Sequence, residues 1–353
     1  MCLKNYQSAA IDAIRSASAD HVKASTEYLD RQLLKYGSSA AELTKTLLGR
    51  PVTINFHPDR LVLIDGQYLT VIECLFRDGE YRCQFETHTS NGGLTAYIGG
   101  DRYNWEQRLF HDAYPDTALD RPKYGALNIF GYADGASTRF GSCFIELRPE
   151  VASRVTFALG DSSTAPDCVA TQDSFANIAA GLLYSYERTQ TLLDRVFSCE
   201  SDAVATLLYS AHTDSSQNRR LGRNLDYCIE AHVHGPIRLA RDVRRLCIDD
   251  SYRGSAVERD AVRLCQSYGF EFGYIPRRVV GLDRIGAIFR GERIVRLAEC
   301  AAERYQVDKI DAELLGRISQ SCTLKPYEWS EIGDEIELFQ AVKQLWHTLA
   351  FFG

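Results

Sequence analysis

Residues Tyr81–Gly93 read YRCQFETHTSNGG, and this stretch combines two different patterns. Its first six residues alternate between apolar and polar side chains, which is the period of a half-buried β-strand. From Thr87 the stretch becomes a loop of hydroxyl and amide side chains that ends in two glycines, a composition that lets a backbone approach a ligand closely. The stretch therefore predicts a strand that leads into a binding loop.

A second alternating stretch runs from Asp226 to His234. Its apolar face consists of Tyr227, Ile229, Ala231 and Val233, and its other face of Asp226, Cys228, Glu230, His232 and His234. So many ionisable groups on one strand face are unusual for a surface that only meets solvent. We expect this face to form the wall of a site, with the strand that begins at Tyr81 close to it.

The order of the patterns along the chain predicts three regions. Residues 1–49 have helical periodicity and predict an N-terminal helical cap. Residues 50–254 predict an α+β catalytic domain, and residues 255–353 a mostly helical C-terminal region. Strands in the middle region come in runs rather than in strict alternation with helices. This order favours a mixed, mostly antiparallel central sheet flanked by N- and C-terminal helices.

Composition limits the partners and the compartment. The net charge of −7 argues against nucleic acid or an anionic membrane as the main partner. The 11 cysteines contain no C-x-x-C pair, which favours reduced thiols over a disulfide framework or a structural zinc site. No stretch has the composition of a signal peptide or approaches the ~18 apolar residues of a membrane span. We expect a cytoplasmic protein; export without a signal peptide fits the same features.

Two charged residues have the strongest chemical interpretation. The guanidinium of Arg82 is planar and always charged, and it suits bidentate contact with phosphate; the alternative is a structural pair with Glu86 or Asp101. An ionised Glu230 beside a sugar stabilises an oxocarbenium-like centre during glycosidic cleavage, and its alternative is a salt bridge on the strand face. The signatures of P-loop NTPases, Rossmann dehydrogenases, zincins and α/β-hydrolases are absent from the sequence.

Several segments resemble a bacterial family of unknown function, and the order of their residues is similar to that of mono-ADP-ribosyltransferases. That order is an arginine on an early strand, a tyrosine and small hydroxyl residues in the middle, and a glutamate on a late strand. A later run, near residues 154–162, also resembles toxin-associated transferase domains. The segments that carry the resemblance are residues 54–60, 81–93, 121–128, 139–143 and 230–235.

The resemblance implies that NAD is the substrate, that the nicotinamide–ribose bond is cleaved, and that ADP-ribose passes to a protein acceptor or to water. It implies that Arg82 anchors the NAD phosphate and ribose, that Glu230 stabilises the cation, and that Tyr124 stacks near nicotinamide. The chain lacks the usual Ser-Thr-Ser motif of these enzymes and has Cys228 where they have a glutamate or glutamine. The expected NAD-binding residues are Arg82, Gln84, Thr87, Ser90, Asn91, Tyr124 and His57.

Two other interpretations remain open. His232 and His234 share a strand face and can point at one metal ion, with His57 or Glu230 completing the ligand set of a metal-dependent hydrolase. The chain can also be a non-enzymatic binding or scaffold protein whose polar strand faces form buried networks that specify the fold.

Overall fold

The computed structural model describes residues 3–88, 95–209, 221–222 and 225–353, and helices surround a central sheet. The helices are α1 (Asn5–Ala19), α2 (Val22–Leu33), α3 (Ala40–Leu48), α4 (Val71–Asp78), α5 (Gln84–Thr87), α6 (Asp101–Leu109), α7 (Ala176–Thr189), α8 (Glu200–Tyr209), α9 (Leu239–Asp242), α10 (Ala256–Tyr268), α11 (Ala287–Arg290), α12 (Glu292–Tyr305), α13 (Ala312–Leu324) and α14 (Glu335–Phe352). The strands are β1 (Val52–Phe56), β2 (Leu61–Ile64), β3 (Gln67–Thr70), β4 (Glu80–Tyr81), β5 (Lys123–Leu127), β6 (Cys143–Leu147), β7 (Val155–Leu159), β8 (Val169–Ala170), β9 (Thr191–Leu192), β10 (Arg195–Val196), β11 (Ile229–Val233), β12 (Ile237–Arg238), β13 (Val243–Asp249), β14 (Glu271–Ile275), β15 (Val279–Gly281) and β16 (Lys309–Asp311).

The central sheet has eight strands in the described part of the chain, in the order β14-β13-β6-β1-β5-β11-β7-β8. Neighbouring strands are antiparallel except β13 and β14, which are parallel. The helix α10 connects these two strands, as a parallel pair requires a crossover. The prediction of a mixed, mostly antiparallel sheet flanked by helices is confirmed.

The sheet has one apolar face and one largely polar face. On β11 the apolar face is formed by Ile229, Ala231 and Val233, which are fully buried in the main core. The side chains of Ile229 and Val233 each contribute roughly 1.5–3 kcal/mol on burial, so this face fixes the strand's register. The pairing then places Glu230 beside Ala126 and Ala158 on the opposite face. The predicted alternation of this strand is confirmed, although the strand begins at Ile229 rather than at Asp226.

The predicted strand at 81–86 is wrong beyond Tyr81. The strand consists of Glu80 and Tyr81 alone in this stretch, and Gln84–Thr87 is a single helical turn. The turn begins where the Cys83 N–H donates to Oε2 of Glu86 at 2.8 Å, which is half of a capping box. Cys83 and Phe85 are buried because they pack together in a small apolar cluster. Six alternating residues are too few to distinguish this arrangement from a strand.

The sheet also extends beyond residue 254, because β14 forms one of its edges. Residues 1–49 contain the helices α1–α3. The long helix that follows residue 175 ends at Thr189, where Gln190 adopts a left-handed conformation with φ 58°. Among the described residues, no helix is long and apolar enough to cross a membrane.

Candidate functional site

A cavity of about 760 Å³ lies between the polar face of the sheet and the segment that carries α4, α5 and α6. The sheet contributes Asn55, Tyr124 and Glu230, from β1, β5 and β11. The volume of the cavity lies within the range of roughly 300–1,000 Å³ that is typical of small-molecule sites. The cavity brings together five residues that the sequence singled out: Arg82, Gln84, Thr87, Tyr124 and Glu230.

Hydrogen bonds on one side of its carboxylate hold Glu230 in place. The residue is 9% exposed, and its Oε2 accepts the Ser162 backbone N–H at 2.9 Å. The same oxygen lies 3.1 Å from Nε2 of His232. Oε1 accepts no hydrogen bond from the described residues. The carboxylate is therefore oriented by protein groups on one oxygen and keeps the other available to a ligand.

Behind Glu230 the hydrogen bonds continue as a buried chain. Nδ1 of His232 lies 3.1 Å from Oγ1 of Thr156, and the same Oγ1 lies 3.0 Å from Nε2 of His234. Nδ1 of His234 is then 2.7 Å from the hydroxyl of Tyr114. All four residues behind Glu230 are completely buried. We call Glu230, His232, Thr156, His234 and Tyr114 the hydrogen-bond chain.

One set of proton positions satisfies every contact of the hydrogen-bond chain. An ionised Glu230 can only accept, so His232 donates from Nε2 and accepts at Nδ1 from the Thr156 hydroxyl. Thr156 in turn accepts from Nε2 of His234, which accepts at Nδ1 from the Tyr114 hydroxyl. Burial holds the pKa of His234 well below its ordinary value, which agrees with a neutral ring. The hydrogen-bond chain thus holds the Glu230 carboxylate in place through four buried residues.

A second cluster on the cavity wall is built around Arg102. Nη1 of Arg102 donates to Oε1 of Gln84 at 2.7 Å, and its Nε donates to Oε1 of Glu106 at 3.2 Å. The guanidinium carbon lies 4.2 Å from the centre of the Tyr124 ring. Although burial lowers it, the pKa of Arg102 is raised overall by Tyr124, Glu106 and Glu230. A nicotinamide ring on this face of Tyr124 would have to displace the guanidinium.

Arg82 lies on the cavity wall but outside the sheet, between β4 and α5. Its side chain is 45% exposed, and its Nε is 2.8 Å from Oδ2 of Asp78. Nη1 lies 3.7 Å from Oε1 of Glu86, the structural partner that the sequence suggested. Two carboxylates and solvent therefore already compensate much of its charge.

The structure does not place His57, another predicted residue, in the cavity. The ring of His57 packs edge-on against Trp346, with ring centres 4.8 Å apart, and its Nδ1 lies 3.4 Å from the Ser142 hydroxyl. Since His57 points into this packing between β1 and α14, it does not line the cavity. Ser90 and Asn91 lie outside the described residues.

The geometry does not favour a metal at His232 and His234. Each ring nitrogen of the two residues already has a hydrogen-bond partner in the hydrogen-bond chain. A search of the described residues finds no group of three or more His, Cys, Asp or Glu side chains arranged to hold a metal ion. Metal binding here would require several buried hydrogen bonds to break.

Sequence reasoning missed Arg102, Glu106 and Lys123. Arg102 and Glu106 are four residues apart on α6, so their spacing was a signal for a helical ion pair. Lys123 is 1% exposed, and its Nζ lies 3.5 Å from Oε2 of Glu86 and has no hydrogen-bond partner among the described residues. No sequence pattern indicated that this lysine would be buried beside the cavity.

Residues 51–352 match the model of the family DUF3626, described as a protein of unknown function, and the chain belongs to this family. A search of curated proteins finds no match to the chain. The match spans the whole sheet and every residue of the two clusters described above.

Proposed function

We propose that this protein cleaves the nicotinamide–ribose bond of NAD and transfers ADP-ribose to a protein acceptor or to water. The observation that carries the proposal is that Glu230 and two arginines, Arg82 and Arg102, line one cavity of about 760 Å³, which is large enough for a dinucleotide. The resemblance of the residue order to mono-ADP-ribosyltransferases supports the same reaction.

In the proposed reaction, Glu230 stabilises positive charge. As nicotinamide leaves, the ribose gains oxocarbenium character, and a fixed carboxylate beside it lowers the energy of the transition state. The Ser162 N–H and His232 orient the carboxylate before the substrate binds, so little reorganisation is needed. The nicotinamide leaves with the electron pair of the glycosidic bond, and an acceptor nucleophile or water attacks the ribose carbon.

Glu230→Gln tests the proposal. Glutamine keeps an acceptor for the Ser162 N–H but removes the negative charge. We therefore expect nicotinamide release from NAD to fall by about 100-fold or more, with a melting temperature close to that of the wild type. The matched control is Glu271→Gln, at an exposed position on β14 outside the cavity, which should leave nicotinamide release unchanged.

Two measurements on the wild-type protein can overturn the proposal. NAD should raise its melting temperature, because a ligand that binds only the folded state stabilises it. If the wild type neither gains stability from NAD nor releases nicotinamide with protein acceptors or water present, the binding or scaffold interpretation is favoured instead.

A further inference from the structure

We propose that Arg102, rather than Arg82, is the residue that binds the anionic group of the ligand, and that this group is a phosphate of a nucleotide. That this nucleotide is part of a dinucleotide rests on the function proposed above. The local geometry of Arg102 supports it independently of any reaction.

Protein groups hold two of the three guanidinium nitrogens of Arg102, and the third nitrogen is available to a ligand. Nε and Nη1 are fixed by Glu106 and Gln84, and the guanidinium lies over Tyr124. Nη2 donates to no group among the described residues. The side chain is 16% exposed, so it is mostly buried yet open to the cavity that it lines. Because the guanidinium is already ordered, a ligand that binds it loses little additional side-chain entropy.

Arg102 does not have its nearest carboxylate to itself. Its carboxylate partner Glu106 is shared with Arg121, whose Nη1 lies 3.4 Å from Oε2, so two guanidinium groups face one carboxylate. The buried ammonium of Lys123 lies on the same cavity wall, 3.5 Å from Oε2 of Glu86, and makes no hydrogen bond with the described residues. The cavity lining also carries carboxylates, so binding of an anion depends on the ordered planar fork of Arg102, which suits a phosphate in particular.

Arg82 is the poorer anchor for physical reasons. Nearly half of its side chain is in solvent and two carboxylates lie close to it. Exposed and already paired charges contribute little to binding, whereas mostly buried ones contribute more. Arg82 is consequently expected to influence the approach of an anion more than its final affinity.

The experiment measures binding of ADP and of inorganic pyrophosphate by isothermal titration calorimetry. Arg102→Gln should weaken ADP binding about 10- to 100-fold, since a charge-assisted contact is lost. Arg102→Lys keeps the charge but not the fork and should recover only part of the affinity. Arg82→Gln should change the affinity by no more than about threefold. The control Arg296→Gln removes an exposed arginine outside the cavity and should have no effect.

Neither ADP nor pyrophosphate contains a nicotinamide–ribose bond. Binding of these probes can therefore succeed or fail independently of nicotinamide release from NAD. The inference is overturned if Arg82→Gln loses more affinity for ADP than Arg102→Gln does. If Arg102→Gln does not fold, a loss of 10-fold or more in Arg82→Gln overturns it. It is also overturned if the wild type binds neither probe. Binding of ADP that depends on Arg102 without any release of nicotinamide from NAD would support the inference and contradict the proposed function. Equal affinity for pyrophosphate and ADP would overturn the assignment to a nucleotide.

Discussion

Thr156 is the residue on which the hydrogen-bond chain depends, because its hydroxyl joins the two histidines. Its single hydrogen atom can serve only one of them, so the other histidine must donate to it. The residue is completely buried on β7, and no solvent is available to replace a missing bond. One hydroxyl therefore couples the proton positions of the two rings, and His232 in turn contacts Glu230.

We predict that Thr156→Val lowers the free energy of unfolding by about 1–3 kcal/mol, because the shape is kept while Nδ1 of His232 and Nε2 of His234 lose their partner. Nicotinamide release should fall as well, since Glu230 is then less well oriented. Urea denaturation measures the first effect. Thr323→Val, at an exposed helical threonine, is the matched control. Equal losses in the two variants would contradict this account of the chain.

At the scale of one element, α14 connects the C-terminal region to the sheet. The indole N–H of Trp346 donates to the Thr138 backbone oxygen at 2.9 Å. The next residue, His347, is only 3% exposed, and neither of its ring nitrogens has a hydrogen-bond partner in the described part of the chain. Burial first, and then the nearby charges of Arg290, Arg139 and Lys343, lower the pKa of His347 to about 3.

This shifted pKa predicts a specific sensitivity to acid. An unfolded histidine titrates near 6.5, so between about pH 6.5 and 3 the unfolded chain binds a proton that the folded protein excludes. The stabilising contribution is fully present above pH 6.5 and falls as the pH decreases, by on the order of 3 kcal/mol at pH 4. His347→Leu removes this contribution. The variant should therefore lose less stability than the wild type between pH 7 and pH 4.

Urea denaturation at both pH values measures the difference. The other buried groups with shifted pKa values, such as His234 and Asp59, remain in both proteins and largely cancel in the comparison. His21→Leu, at an exposed histidine, serves as the control and should keep the pH dependence of the wild type. The same pH dependence in His347→Leu as in the wild type would show that His347 is not the group responsible.

At the scale of the whole molecule, Arg278 joins parts that are far apart in sequence. Its side chain is buried in an ion pair with Asp134 and donates from Nη1 to the Ala350 backbone oxygen at 2.7 Å. Its backbone N–H donates to Oδ2 of Asp249 at 3.0 Å. The loop after β5, the end of β13 and the end of α14 are thus held by one residue.

We predict that Arg278→Met lowers the free energy of unfolding by about 3–5 kcal/mol, because it removes the guanidinium that pairs with the buried carboxylate of Asp134. Adding Asp134→Asn should restore part of the loss. The wild type should unfold in a single transition by both tryptophan fluorescence and far-ultraviolet circular dichroism. Two separate transitions would instead indicate that residues 255–353 fold as an independent domain.

Sequence reasoning succeeded where a pattern is local and failed where long-range packing decides. The alternation around Glu230 predicted both its strand and its orientation, because an apolar face must be buried. The role of Arg102 depends on α6 packing against α5, which brings Gln84 to it across 18 residues, and no local pattern contains that contact. Likewise β14, with Gly273 at its centre and mostly partial burial, shows no alternation to detect.

The strand β11 is hydrogen-bonded along both edges, to β5 and to β7. One wall of the cavity is therefore as immobile as the middle of the sheet, and shifting it would break two ladders at once. Any widening or narrowing of the cavity has to come from the facing side, where α5 is a single turn and α4 follows a two-stranded hairpin. Engineering a different ligand preference should accordingly begin in residues 61–88 and 95–109 and leave β11 unchanged.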